Sequence, residues 1–286
     1  MGDVLAQGLL HGGVYALIAL GFVLVFKSSH VLNLAYGEMI AILSYFLYQF
    51  LSPWGLPDWL GILLIIPCGA ALGLLVERLA IRPLLGQSFL ATLMMTLMLS
   101  FLFLGLIVLV WSSDSFTLPF TPRGLWTIGP VQVTPAAAIS FAAALIIFVL
   151  LTLLFRYTKV GLSMRVVAAD HEVAQSLGIR VKQVFSLSWA ISGAFAAVLG
   201  ILAGMVFTVT PALGATSLGR GLPVLLLGGL DSIPGALVGG LIIGLVEALA
   251  SYYQPGLAEV VPWIVMLVIL LIRPYGLFGQ KRIERI

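Results

Sequence analysis

The ionisable side chains that could do chemistry within the apolar parts of this chain are few and scattered. Glu38 and Glu247 lie in long apolar stretches, where a charged group is costly and by default indicates function. The three histidines are also dispersed, and the sequence contains neither His-Glu-x-x-His nor Gly-x-Ser-x-Gly. A hydrolytic site needs such a cluster of nucleophile, base and orienting group. We therefore expect a protein that is not an enzyme.

A glycine-rich segment, Gly214–Gly221, superficially resembles a phosphate-binding loop. That motif needs Lys and then Ser or Thr after its second glycine, to hold the phosphates and Mg²⁺. Arg220 and Gly221 stand at those two positions here. The sequence therefore predicts that this chain binds no ATP and no other cofactor itself.

The composition indicates a membrane protein. The 286 residues are 61% hydrophobic and 9% charged, whereas soluble proteins have roughly 25% charged residues. Since about 20 apolar residues span a bilayer core, we expect an all-α integral membrane protein, a polytopic helical bundle with about eight or nine transmembrane segments. Residues 1–286 would form a single transmembrane domain, in contact with lipid and not with nucleic acid.

The apolar runs divide the chain into eight clean spans and one irregular segment. The clean spans are Leu5–Phe26, Ala35–Leu51, Leu60–Ala80, Phe89–Trp111, Pro135–Phe155, Val184–Phe207, Pro234–Tyr252 and Val260–Ile272. The irregular segment, Pro211–Leu230, is broken up by Gly214, Gly219, Arg220, Gly221 and Pro223, which predict an interrupted helix. Interrupted helices are tolerated where they face protein or a water-filled cavity, and in transporters they often line the substrate site. A short external loop is the alternative.

Orientation follows from the basic segment Arg156–Gln183, which holds five of the fourteen Lys and Arg residues. Because Lys and Arg are enriched in cytoplasmic loops, we expect this segment to be a cytoplasmic loop. The N-terminus would then be external and the basic C-terminus cytoplasmic, which requires an odd number of crossings. Pro211–Leu230 would supply the ninth, unless one of the other spans is re-entrant or lies on the surface.

The basic segment also contains a short predicted helix, from about Asp170 to Leu177. Asp170 would cap its start, and Gly178 would stop it in the left-handed conformation. Ala174 and Gly178, four residues apart, would present a narrow surface to a groove in another protein. Arg165 and Glu172 would pair with charges on that partner. An ordinary basic loop is the alternative from the residues alone.

Glycines recur at four-residue spacing, which lets helices in lipid approach closely. The spacing leaves open whether these faces meet within the chain or against a second subunit. The pairs are Gly8/Gly12, Gly69/Gly73, Gly200/Gly204, Gly235/Gly239 and Gly240/Gly244.

The motif Glu172-Val173-Ala174-x3-Gly178 resembles the Glu-Ala-Ala-x3-Gly loop of ABC-importer permeases, with valine in place of the middle alanine. Other motifs, in the same order, resemble the branched-chain amino acid permease family over nearly the whole chain. They are Gly8-x3-Gly12-Gly13-x-Tyr15-Ala16-Leu17, Asn33-x-Ala35-x-Gly37, Glu77-Arg78-x3-Arg82-Pro83-Leu84, Lys159-x-Gly161-x3-Arg165 and Leu227-Gly228-Gly229-Leu230. The short length resembles the smaller of the two paired permeases in such systems.

The resemblance implies a permease of the bacterial-type inner membrane that forms a heterodimer with a second homologous permease. Its other implied partners are two cytoplasmic ATPase subunits, which use the ATP, and an external substrate-binding protein. The cargo would be branched-chain or hydrophobic amino acids, or a related solute such as urea, an amide or an aromatic acid. The coupling loop is expected to use Arg165, Asp170, Glu172, Ala174 and Gly178.

The solute pathway is a separate hypothesis. We expect it to be lined by Asn33, Gly37, Glu38, Ser217 and Arg220. The rival interpretation is a stand-alone, ion-coupled secondary transporter of small solutes. It needs a deep carboxylate that titrates, for which Glu38 and Glu247 are the candidates.

Overall fold

A computed structural model gives the fold and describes residues 1–84, 86–169 and 171–279. The described residues are mainly helical, with one small antiparallel hairpin, β1 (Trp126–Ile128) and β2 (Val131–Val133). The helices are α1 (Gly2–Ser29), α2 (Tyr36–Leu51), α3 (Asp58–Val76), α4 (Phe89–Trp111), α5 (Pro135–Tyr157), α6 (Lys159–Ala169), α7 (His171–Ser176), α8 (Val181–Phe207), α9 (Leu213–Gly228), α10 (Ile233–Tyr253) and α11 (Val261–Ile272). A π-helical turn, Glu77–Ile81, and a 3-10 turn extend α3 to Leu84.

The helix boundaries follow local signals in the sequence. The Ser88 hydroxyl accepts a hydrogen bond from the Ala91 amide at the start of α4, at 3.3 Å. Ser232 does the same for Gly235 at the start of α10, at 3.0 Å. These serines satisfy amide groups that have no partner within the first turn of a helix.

The expected helical membrane architecture is confirmed. In the part of the chain that the structure describes, six helices are long and apolar enough to cross a membrane: α1, α3 with its extension, α4, α5, α8 and α10. The apolar helices α9 and α11 are shorter, and α2 has 16 residues. The figure of eight or nine crossings therefore stays a prediction.

The expected interruption within Pro211–Leu230 is wrong. Leu213–Gly228 is one continuous helix that contains its glycines and Pro223. The chain departs from helical geometry earlier, at Thr208, where φ is +66°, and Val209 forms a bridge to Phe116. Three glycines of α9, Gly214, Gly221 and Gly228, instead lie in close contact with neighbouring segments, whereas a β-carbon at Gly219 would meet nothing within 4 Å.

The segment Arg156–Gln183 connects the long helices α5 and α8 and is itself largely helical, since it holds α6 and α7; its cytoplasmic position stays a prediction. The short helix within it is confirmed as α7. Gly178 follows that helix with φ +79°, the left-handed geometry that glycine adopts readily at a helix end. The expected cap, Asp170, and residues 281–286 of the basic tail lie outside the described residues.

The chain divides into two compact units. The first combines Met1–Val23, Arg123–Ile146 and the chain from Gly219 onward. In it α1 packs on α10 through glycines: a β-carbon at Gly12 would lie 2.7 Å from the Gly240 carbonyl oxygen, and one at Gly8 would lie 2.8 Å from that of Gly244. These contacts need glycine, because any larger side chain would separate the two backbones.

The second unit combines Leu24–Pro122 and Ile147–Leu218. Its α3 lies on α8, where Gly69 and Gly73 face the backbone of Gly193 and Trp189. The Ser44 hydroxyl of α2 donates to the Gly200 carbonyl of α8 at 2.9 Å. The glycine spacing therefore marks contacts within this chain in both units.

Candidate translocation and coupling sites

Asn33 positions the start of α2. Its side-chain oxygen accepts a hydrogen bond from the Ala35 amide at 3.1 Å, and its amide nitrogen lies 3.5 Å from the Met39 sulfur. This is the local bonding by which asparagine stabilises a turn. Asn33 is also buried. Its side chain therefore orients Gly37 and Glu38 in the first turn of the helix.

The carboxyl group of Glu38 lies between α2 and α9, and only 4% of Glu38 is exposed. It packs directly on Gly214, where a β-carbon would overlap the carboxyl carbon and both oxygens. Gly37 in turn faces the carbonyl of Gly214 and the side chain of Leu218. Glycine on both helices is therefore what admits a carboxylate at this contact.

Two buried oxygens at this contact have no hydrogen-bond partner among the described residues. They are Oε2 of Glu38 and Oγ of Ser217, which is 1% exposed. Ser217 lies one turn after Gly214, on the same side of α9. Because buried polar atoms in proteins are almost always hydrogen-bonded, these two oxygens retain unused hydrogen-bonding capacity. We call Glu38, Gly214 and Ser217 the α2–α9 cluster.

Arg220 lies in the first unit and forms a salt bridge with Glu247 of α10, with Nη2 3.0 Å from Oε1. The guanidinium carbon also lies 5.6 Å from the ring centroid of Tyr15, over its face. Tyr15 contacts the ring of His11, one turn earlier on α1. Sequence reasoning considered Arg220 and Glu247 separately and missed Tyr15 and His11, since nothing in the spacing of the residues brings three helices together.

Arg165 fixes α6 to the end of α5. Its guanidinium donates a hydrogen bond to the Phe155 carbonyl, which belongs to the last turn of α5. Carbonyl groups at a helix C-terminus have no helical partner and interact favourably with a cation. The structure thus gives Arg165 a bond within the chain, and its expected role toward a partner stays a prediction.

Ala174 is fully buried. The expectation that Ala174 and Gly178 together present a surface to a partner is therefore wrong for Ala174. It packs with Val167 of α6 and Phe185 of α8. The exposed apolar side chains near it are Val173, at 51%, and Leu177, at 67%. Glu172 lies in α7, and its side chain lies outside the described set.

A second polar contact, missed as a pair by the sequence reasoning, joins the end of α3 to α8. Arg82 donates to both carboxylate oxygens of Glu77, at 3.0 and 2.8 Å, and to the Ser186 hydroxyl at 2.7 Å. Such bidentate pairs are stronger than single neutral hydrogen bonds. Glu77 and Arg82 are five residues apart, and the π-helical turn that begins at Glu77 brings two side chains at that separation together. This spacing is the feature of the sequence from which the pair could have been predicted.

Comparison with known proteins identifies the family. A family model described as the permease component of the branched-chain amino acid transport system matches residues 4–270. The chain is 30% identical to the high-affinity branched-chain amino acid transport system permease protein LivH of Escherichia coli K12, over 98% of this chain and 96% of that protein. It is 29% identical to the corresponding permease BraD of Pseudomonas aeruginosa, over 99% and 97%.

A solved structure supports the fold. PsaBC from Streptococcus pneumoniae, in complex with Fab, aligns with 94% of this chain and 90% of its own, at a TM-score of 0.50 and 14% identity. With the family model covering most of the chain, the conclusion is that the chain belongs to the family of branched-chain amino acid transport system permeases.

Proposed function

We propose that this chain is the membrane-spanning subunit of an ABC importer and moves branched-chain or other hydrophobic amino acids inward. The coupling part of this proposal rests on the way α7 packs against its neighbouring helices. Ala174 anchors it to α6 and α8, while Val173 and Leu177 remain exposed. A short helix that is fixed to a long helix and has an exposed apolar face is suited to receive a movement from another protein.

The cargo proposal rests on the relatives, whose names specify branched-chain amino acids. In our proposal the partners are a second homologous permease, two ATPase subunits that use ATP, and an external substrate-binding protein. Arg156–Gln183 and the C-terminus would face the cytoplasm, and the N-terminus would face outward. The five basic residues of that segment support this orientation.

The pathway in this proposal includes the α2–α9 cluster. Glu38 and Ser217 supply two buried oxygens without a hydrogen-bond partner in the described chain. Both lie at a contact between helices, and relative movement of the helices would expose them to solute. Asn33 and Gly37 would shape this region, whereas Arg220 is held by Glu247.

The coupling proposal is tested by reducing the exposed apolar face of α7 in the assembled transporter. In Val173→Ser/Leu177→Ser, we expect uptake to fall at least about tenfold, equivalent to 1.4 kcal/mol of lost coupling. ATP hydrolysis by the partner subunits should continue. Glu172→Ala, at the acidic position of the motif, should act in the same direction.

The matched control is Leu162→Ser, which removes an exposed leucine of α6 outside α7. This variant should retain uptake. Thermal unfolding in detergent would establish that all variants are folded. Unchanged uptake in the folded double variant would disprove the coupling role of α7.

The alternative, an ion-coupled carrier, keeps one observation in its favour. Of its two candidate carboxylates, Glu247 forms a salt bridge with Arg220, whereas Glu38 forms none with any described residue. Uptake into vesicles by this chain alone, driven by a proton or sodium gradient and lost in Glu38→Gln, would favour the carrier over the importer.

A further inference from the structure

An open groove lies beside α6 and the start of α8, in the second unit. Its volume is about 430 Å³. Its ten lining residues include Lys159, Gly178, Arg180, Val184 and Leu187. Gly178 of the expected coupling loop lines the groove, whereas the exposed Val173 of α7 and Leu177, which follows α7, do not.

One part of the groove is positively charged. Lys159 and Arg180 are exposed, and neither forms a salt bridge with any described residue. None of the ten lining residues is acidic. The groove therefore offers two cations to an anion, without a carboxylate in its lining that would repel it.

The rest of the lining is apolar and adjoins membrane-facing surface. Val184 and Leu187 belong to α8, a helix long enough to cross the membrane, and Leu187 is 41% exposed. Nearby in the chain, Tyr157 is exposed at the end of α5, and the Arg156 guanidinium lies 5.5 Å from its ring centroid. Tyrosine and arginine at a helix end are typical of the membrane–water interface.

We propose that this groove binds an anionic phospholipid. Lys159 and Arg180 would contact the phosphate, and an acyl chain would lie along Val184 and Leu187. A headgroup phosphate next to hydrocarbon matches this combination of an apolar strip and two cations that form no salt bridge with the described residues. Basic pockets between membrane helices are a recurring form of lipid recognition. The proposal needs only membrane insertion of the chain and does not depend on the cargo or on coupling.

The test measures lipid binding to the purified full-length chain in neutral detergent by native mass spectrometry. Phosphatidylglycerol should bind in preference to phosphatidylcholine. Lys159→Ala/Arg180→Ala should weaken phosphatidylglycerol binding about 30-fold, from roughly 1 kcal/mol for each cation near an anionic headgroup. Phosphatidylcholine binding should stay unchanged.

The control double variant, Arg78→Ala/Lys182→Ala, removes two exposed cations that do not line the groove. It should retain the preference for phosphatidylglycerol. Equal binding of the two lipids, or an equal loss in the control, would overturn the proposal. Displacement of lipid by millimolar inorganic phosphate would also overturn it, in favour of a site for a soluble anion.

Two further measurements complete the test. If the alanine pair does not fold, raising the salt concentration on the unaltered protein should weaken binding of phosphatidylglycerol and leave that of phosphatidylcholine unchanged, because salt screens exposed charges. Displacement of the lipid by an added ATPase subunit, together with weaker ATPase binding by Lys159→Ala/Arg180→Ala, would assign the groove to that subunit and reject the lipid.

Discussion

Arg220 of α9 and Glu247 of α10 form a salt bridge inside the first unit, and both Nε and Nη2 of the arginine lie within 3.1 Å of the same carboxylate oxygen. Both side chains are largely buried, so each charge is compensated by the other. This salt bridge argues that Arg220 stabilises the fold. Measurements of stability and uptake can distinguish that role from the pathway role that the sequence suggested.

Removing one partner of this pair should cost more than removing both. Arg220→Met would leave a mostly buried carboxylate without its cation and should lower the free energy of unfolding by about 3 kcal/mol. Arg220→Met/Glu247→Leu should recover most of that loss, because apolar groups of similar volume often replace such a pair without cost. Denaturant unfolding in detergent measures both. A stable double variant without uptake would return Arg220 to the pathway.

Gly214 is expected to tolerate no side chain. In Gly214→Ala the new β-carbon would overlap the Glu38 carboxyl group, so α2 and α9 must separate and stability should fall by about 1–3 kcal/mol. The control is Gly219→Ala in the same helix, where a β-carbon would meet nothing within 4 Å. That change should be stabilising by up to about 1 kcal/mol. Equal thermal stability of the two variants would contradict the close contact.

Ser217 and Ser140 are both fully buried and lack hydrogen-bond partners within the described structure. Ser217→Ala and Ser140→Ala should therefore each change stability by less than about 1 kcal/mol. Only Ser217→Ala should affect transport, raising the apparent KM for solute about fivefold, as for one lost hydrogen bond. Initial uptake rates by the assembled transporter provide the comparison. An equal effect of both serines would remove Ser217 from the pathway.

Gly178 ends α7 with a positive φ, and a β-carbon there would meet nothing within 4 Å. The cost of Gly178→Ala should therefore come from backbone geometry alone, about 1 kcal/mol. Gly178→Asn should cost less, because asparagine visits this conformation more readily. Unfolding measurements on both variants check this order. A cost that grows with side-chain size, with asparagine worse than alanine, would indicate a steric contact instead.

The positions of the long helices could be predicted from the sequence alone. Phe89–Trp111 begins and ends as α4 does, and Pro234–Tyr252 lies one residue inside α10 at both ends. Local physics decides these elements. An apolar run in a membrane must satisfy its backbone hydrogen bonds internally, so it becomes a helix whatever it packs against. The left-handed conformation that ends α7 at Gly178 was also predictable, because it depends on that one residue.

Only the tertiary structure determined that α9 is one continuous helix and which residues at the candidate sites are exposed. The glycines of Leu213–Gly228 suggested a break, but Gly214 admits a carboxylate from α2, and the helix is continuous. Ala174 belonged to a motif that suggested exposure, yet α6 and α8 bury it. Arg220 and Glu247 stand 27 positions apart, and only the packing of α9 on α10 makes them a pair. Exposure and charge pairing depend on contacts between distant segments, which the order of residues along one helix does not contain.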